Sequence, residues 1–449
     1  MSADAKGTIT SNEAQRRPIA IDLFAGAGGL SLGFEQAGFD VVAAVEYDPV
    51  HALTHAYNFP RCEVICRDVS KIRSSEIVDA AKRSFERMYP NSKWPGRVDA
   101  IIGGPPCQGF STGGKRQTND ERNNLFLQFV RIVTEIRPSS VCLENVAGLL
   151  EERFSEVREE AFIRLRETGY SLSGTAELLN SAEFGVPQNR RRVVVLGILG
   201  TQEPGRPIPK AERVTVREAF EGLPRLTKYA ILRVQDRIPL SQLDLDLRNE
   251  SRSAYARLLS GLRVDPDDLS RPRSWDPHEL SGLKRTEHSP ATVRRFRTTT
   301  PGAVEPKSRL YRLDPERQAR TLRAGTGAER GAHTSPRPIH PIEPRVITVR
   351  EAARLHGYPD WFQFHATNWH GHRQIGNSVP PPLAAAAARV LVRGLCLQPP
   401  QLRTAEAPAD RAFLSVNRTS ALDHVNTVVG ELPLKRIKTL GSALLSEAV

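Results

Sequence analysis

Along the first half of the chain the apolar residues come in short unbroken runs that stop at glycine, proline or a carboxylate. The runs are Pro18–Phe24, Val41–Val45, Val64–Cys66, Val98–Ile102, Ser140–Leu143 and Val193–Ile198. Runs of this length with no polar alternation predict strands buried on both faces, as in a parallel sheet. Between them, Ala25–Ser31 is a glycine-rich turn that opens a helix through Gln36 and ends at Gly38, and Leu125–Ile136 and Leu149–Thr168 read as helices. Strand, turn and helix in succession predict an α/β fold with a Rossmann-like sheet. The central stretch is Val98–Ser111, where the strand breaks at Gly103-Gly104-Pro105-Pro106. Proline neither donates to a ladder nor leaves its neighbour helical, so Cys107 falls at the carboxyl end of a strand, the edge where such sheets bind ligands.

Other strand ends carry charge to the same edge. Glu46 follows the second strand, where a carboxylate can accept from ribose hydroxyls, and Asp68 follows the third, where it can accept from an adenine amine. The glycine turn departs from the dinucleotide fingerprint because Ser31 stands at its third glycine position. An adenosyl ligand without a diphosphate fits these residues best. Glu144 ends the strand Ser140–Leu143, and in Gln188-Asn189-Arg190-Arg191-Arg192 the alternate Arg190 and Arg192 share a face and can point together at an anion or carbonyl. The polar segment Gln108–Asn124 is too long for a simple connection and is expected to be a mobile active-site loop.

From Gly200 to about Arg345 the pattern changes, with frequent proline and arginine, weak periodicity and Thr215–Leu223 as the clear helix. This predicts a second, smaller domain. His288-Ser289-Pro290, Arg294–Arg297 and Thr298–Gly302 mix basic and hydroxyl groups suited to phosphate. Regular structure resumes at a helix N-capped by Thr348 with Glu351 in the capping-box position, and Gln374–Pro380 precedes an alanine-rich helix, Leu383–Leu395. Residues 1–17 are expected to be disordered, and the tail after Pro399-Pro400 carries no clear signal.

With 449 residues, 39% of them hydrophobic, the chain can form two or three domains around a large core. Lys and Arg number 63 against 51 Asp and Glu, a formal net charge of +12 that favours a polyanionic partner. Five sparse cysteines lack paired zinc-site spacing, and with no signal-peptide core or membrane-length apolar run the expected location is the cytoplasm.

These motifs, in this order, resemble the bacterial DNA cytosine-5 methyltransferases: Phe24–Gly29, Gly104–Gln108, Glu144–Val146, Gln188–Arg192, Arg345–Leu355 and Gly376–Pro380. The resemblance implies a Rossmann-like, S-adenosylmethionine-dependent catalytic domain over residues 18–199, completed by 371–398. Residues 200–370 would form an irregular target-recognition domain, and 399–449 an extension of unknown role. It implies Cys107 as nucleophile, Glu144 and Arg192 with Arg190 in support, and a cofactor pocket of Phe24, Gly26, Gly28, Gly29, Glu46, Tyr47, Asp68, Pro106, Leu125, Asn377 and Val379. Gln108, Ser111, Lys115, Arg116, Arg294 and Arg297 are the expected contacts to double-stranded DNA. The chemistry implied needs no metal, the enzyme would act as a monomer on DNA, and a separately encoded restriction endonuclease is a possible partner. A tRNA cytosine methyltransferase of the same fold and a non-catalytic DNA-binding regulator are the alternatives. The basic region between Gly200 and Arg345 speaks against the first, and the presence of Cys107, Glu144 and Arg192 against the second.

Overall fold

The computed structural model describes residues 16–106, 123–173, 177–210, 212–325 and 336–428. Its frame is a mixed sheet of order β3-β2-β1-β4-β5-β9-β6, with β7 also pairing β9. The parallel strands are β1 (Ile19–Leu23), β2 (Asp40–Glu46), β3 (Glu63–Cys66), β4 (Ala100–Gly103) and β5 (Ser140–Val146). β9 (Arg191–Leu199) runs antiparallel to β5 and to the short strands β6 (Tyr170–Leu172) and β7 (Glu177–Asn180). The fully buried β1 and the central residues of β9 explain the unbroken apolar runs, because both sheet faces are covered.

One face carries α1 (Gly29–Gln36), α10 (Val349–Leu355) and α12 (Pro381–Gly394); the other carries α3 (Ser74–Met88), α4 (Asn123–Ile136) and α5 (Ser155–Glu167). Each face has its own continuous apolar core. α1 reaches α12 at Gly33, where a Cβ would lie 2.3 Å from the Ala384 Cβ and 2.6 Å from the Ala385 nitrogen. The late helix therefore closes directly on the first, far away in sequence.

Several boundaries differ from the sequence reading. The expected helix Leu149–Thr168 begins as two 3-10 turns, Ala147–Leu150 and Glu152–Phe154, and becomes α-helical only from Ser155. Before Gly200, two helices have no counterpart in that reading, α2 (Pro49–Asn58) and α3. In α2 the Asp48 side chain accepts from the Val50 nitrogen with proline at the first turn, and α3 buries Ile77, Ala80, Ala81, Ser84 and Phe85 at helical spacing.

The region after Gly200 holds more regular structure than Thr215–Leu223 alone. That helix is α6 (Val216–Phe220), followed by β10 (Ile238–Pro239), α7 (Gln242–Asn249), α8 (Ala254–Leu259), β11 (Glu279–Leu280) and α9 (Pro290–Thr298). Ser241, Ser253 and Ser289 cap α7, α8 and α9. These helices are too short to show periodicity, so their sequence signals lie at their starts, in the serine caps, Asp244 at the capping-box position of α7 and Pro290 in the first turn of α9. β12 (Ala319–Arg320) then pairs in parallel with β8 (Gln188–Asn189).

The alanine-rich helix runs Pro381–Gly394 instead of Leu383–Leu395, and α11 (Asn368–Asn377) precedes it. The tail carries regular structure at α13 (Arg418–Val428), and Phe413, Leu414, Ala421 and Val425 make a separate small core with Val50, Leu53 and Tyr57 of α2. Glu406 pairs with Arg61, Arg271 and Arg273. Among the described residues no helix is long and apolar enough to cross a membrane.

Candidate active site

The site builds from the carboxyl ends of β1, β2, β4 and β5. Glu144 on β5 and Arg192 on β9 sit two positions apart across an antiparallel pair, Glu144 opposite Val194 and Arg192 opposite Val146, so their side chains meet on one face. The Arg192 Nε donates to Glu144 Oε1 at 2.8 Å. Glu144 is only 8% exposed. Burial pushes its carboxyl up from the usual range, against the pull of Arg192 and Arg190.

β4 ends beside this pair. A Cβ on Gly104 would stand 2.9 Å from Glu144 Oε2, and one on Gly103 would meet the Leu23 carbonyl at 2.6 Å. Backbone contact requires glycine at 103, a side chain at 104 would displace the Glu144 carboxylate, and the chain leaving them through buried Pro105 and half-buried Pro106 starts at that carboxylate. Cys107 lies outside the described residues, as do Gln108, Ser111, Lys115 and Arg116.

Arg190 does not share the role of Arg192. It falls in the break between β8 and β9, is 1% exposed, and donates to the carbonyls of Leu322 (3.0 Å), Gly376 (2.8 Å) and Ser378 (3.0 Å). No direct bond joins it to Glu144, on which it acts through its charge alone. The strand alternation that suggested a shared target is interrupted at this residue.

The expected cofactor residues converge around the turn between β1 and α1. Phe24 and Gly26 take left-handed backbone angles, φ 62° and 56°. For Phe24 such a conformation is strained and persists only where the surroundings enforce it. Among the described residues nothing lies within 4 Å of where a Gly26 Cβ would be. Glu46 accepts from the Gly26 nitrogen through one oxygen and from the Asp48 nitrogen through the other, both at 2.8 Å, which ties the β2 end to the glycine turn. Burial raises its pKa as well. Tyr47 beside it is 60% exposed, an aromatic ring with no core to fill.

Asp68 accepts from the Ser70 nitrogen and caps a 3-10 turn, and Leu125 is half-buried on the first turn of α4. Gly28 (φ 100°) caps α1. At Gly29 a Cβ would lie 2.4 Å from both the Tyr358 hydroxyl and the Val379 carbonyl, so the returning segment packs directly on the glycine turn. Val379 is buried there and Asn377 exposed.

Sequence reasoning missed a buried relay beneath this turn. Ser31 Oγ donates to Asp22 Oδ2 at 2.6 Å and lies 2.9 Å from His55 Nε2. The serine at the third glycine position was its visible signal. Arg294 and Arg297 are exposed on α9, and no bond among the described residues links either side chain to Glu144 or Arg192.

Residues 19–393 match the family model described as C-5 cytosine-specific DNA methylase. The chain is 43% identical over 409 residues to the type II methyltransferase M.XorII of Xanthomonas oryzae pv. oryzae, covering 90% of this chain and 92% of that protein. It is 30% identical over 385 residues to the type II methyltransferase M1.HphI of Haemophilus parahaemolyticus, covering 83% and 86%. A crystal structure of a prophage-encoded DNA modification methyltransferase from E. coli aligns with a TM-score of 0.67 at 34% identity, over 84% of this chain and 99% of that one.

Proposed function

The chain belongs to the C-5 cytosine-specific DNA methylase family and is a DNA cytosine-5 methyltransferase; from this premise we propose that it methylates a flipped-out cytosine at carbon 5 within a specific duplex sequence, using S-adenosylmethionine and a covalent Cys107 adduct at carbon 6. The relatives' names as type II methyltransferases support a role in restriction-modification, protecting host DNA from a separately encoded endonuclease. We assign target recognition to residues 200–370 and chemistry to 18–199 with 371–398.

The observation that carries this reading is the buried Glu144–Arg192 pair, set against the glycine break at the end of β4. Carbon 5 of cytosine is a poor nucleophile. A Cys107 thiolate adding at carbon 6 pushes an electron pair into the ring towards carbon 5. Glu144, holding a proton towards ring nitrogen 3, neutralises the charge that develops, and its raised pKa favours that protonated form. Arg192 orients Glu144 and holds the ring carbonyl oxygen. Once carbon 5 carries the methyl group, a base takes its proton, the ring electrons return, and the Cys107 sulfur leaves from carbon 6.

The space that the described residues leave at Gly26, the Glu46 carboxylate and the exposed Tyr47 ring fit an adenosyl group, held by Glu46 at its ribose and Asp68 at its amine. Phe24, Gly28, Gly29, Pro106, Leu125, Asn377 and Val379 complete that pocket. When bound, S-adenosylmethionine supplies the methyl group as an electrophile. Rotating the base out of the duplex costs a few kcal/mol.

Sequencing methylcytosine in DNA from an expressing host defines the site. A duplex with 5-fluorocytosine at that position should then trap the enzyme covalently, because fluorine blocks the final elimination. Methylation by Cys107→Ser, or no adduct at the verified site, would overturn the covalent mechanism.

A further inference from the structure

The three carbonyls on Arg190 come from two segments far apart in sequence, and a closed ring of bonds surrounds them. Leu322 donates its nitrogen to Gln188 Oε1 at 2.9 Å and offers its carbonyl to Arg190 Nη1 at 3.0 Å. Arg190 Nη2 reaches Gly376 and Ser378. The Ser378 carbonyl is also 3.0 Å from His356 Nε2, and His356 Nδ1 is 2.9 Å from Gln188 Nε2. The two segments touch directly as well: a Cβ on Gly376 would lie 2.3 Å from the Ala324 nitrogen.

A fully buried guanidinium is expensive, and here it has no carboxylate within ion-pair distance among the described residues. Its Nε has no partner there either. An apolar side chain would fill the same volume without that cost. What the guanidinium does, and an apolar residue cannot, is hold Leu322 and Gly376–Ser378 in one arrangement.

We infer that Arg190 is a positioning residue that couples cofactor binding to DNA binding, because one side chain fixes both the segment leading out of β12 and the segment that completes the cofactor pocket. This rests on the reading above that residues 200–370 face DNA and residues 376–379 face the cofactor. Ordering either segment pre-orders the other, so each ligand should tighten the other by the same factor.

The test measures the dissociation constant of S-adenosylhomocysteine by calorimetry, with and without a duplex carrying the site found methylated in host DNA. The wild type should show a ratio of roughly 5- to 150-fold, the usual range of such coupling. Arg190→Lys, whose ammonium is a single point in place of the Nη1 and Nη2 fork that reaches the two segments, should bring the ratio close to one even if both affinities fall. A wild-type ratio near one, or an unchanged ratio in Arg190→Lys, overturns the coupling. Failure of the wild type to bind either ligand overturns the functional reading instead.

Should Arg190→Lys not fold, hydrogen exchange on the wild type decides the matter. S-adenosylhomocysteine alone should slow exchange at the Leu322 amide, and duplex alone at the Ser378 amide. Unchanged exchange at both overturns the coupling.

Discussion

Asp22 and His55 share one hydroxyl. Ser31 Oγ lies 2.6 Å from Asp22 Oδ2 and 2.9 Å from His55 Nε2, and both partners are fully buried. Burial pushes the Asp22 carboxyl up to about 7 and the His55 imidazole down to about 3. Between about pH 4 and 7 the native state therefore holds a proton on Asp22 that the unfolded chain has lost, and stability from this group falls as pH rises. Between about pH 3 and 6.5 the unfolded chain holds a proton on His55 that the native state lacks, and stability from this group rises with pH. Over the shared span the two slopes, each about 1.4 kcal/mol per pH unit, oppose and cancel.

Removing one partner should expose the other. His55→Gln is expected to lose stability from pH 4.5 to 6.5, and Asp22→Asn to gain it, in urea denaturation at matched ionic strength. Flat profiles in both variants would show that the two groups do not titrate as their burial demands.

Glu144→Gln tests the acid role at the site. Glutamine keeps the shape and can still accept from Arg192, but it has no proton to give to ring nitrogen 3. Turnover should fall by about 10²- to 10⁴-fold. Binding of S-adenosylhomocysteine should change less than about threefold, because the Glu144–Arg192 pair stands apart from Glu46. Near-normal turnover would leave Glu144 with a binding role only.

The frame of the site was legible in the sequence because buried strands and glycine turns have local causes. Gly103, Gly104, Glu46 and Glu144 were all read from where apolar runs stop, and the sheet puts them at one edge. Arg190 was misread because its partners, Leu322 and Ser378, lie 132 and 188 residues away, and no period or spacing encodes such a contact. The same holds for the tail, where only Ala421 and Val425 of α13 join Phe413 and Leu414 against α2, too few apolar positions to mark an element. α2 and α3 are a different case, since the Asp48-Pro49 cap and the Ile77–Phe85 periodicity were visible all along.

Gly33→Ala sets helix propensity against packing. Alanine is preferred in an exposed helix interior by up to about 1 kcal/mol. Here its Cβ would meet backbone, the Ala385 nitrogen and the Pro381 carbonyl, each at 2.6 Å. Backbone cannot swing aside, so overpacking at about 1–3 kcal/mol should win. A net loss of roughly 1–2 kcal/mol in urea denaturation is expected, and a gain would mean that α12 is free to shift.

Glu406 lies beyond the residues matched by the family model, yet it is buried among Arg61, Arg271 and Arg273. Stripping a buried cation of its sole partner costs about 3–5 kcal/mol. Arg271 keeps Asp40 and Arg273 keeps Glu35, so Glu406→Ala should cost less, about 2 kcal/mol. Denaturation midpoints check this, with methyl transfer at low temperature retained. Wild-type stability would mean that the tail merely rests on the surface.

The net charge of +12 favours a polyanionic partner, and Arg294 and Arg297 test whether that surplus faces DNA. Both are exposed on α9, while Arg295 between them is taken up by Glu305 at 3.1 Å. A residue touching phosphate releases counterions, so log K against log[salt] falls with a slope of about −0.9 per contact. If Arg294 or Arg297 grips the backbone, its alanine variant should weaken specific and non-specific binding alike and flatten that slope by about one unit. If it reads a base edge, the loss should be roughly 1–3 kcal/mol on the specific site only. Arg295→Ala serves as the internal control, because it breaks a bond within the protein and should shift stability without changing the slope. Wild-type affinity and slope in both the Arg294 and Arg297 variants would remove α9 from the DNA-facing surface and leave the surplus charge to be sought elsewhere on the protein.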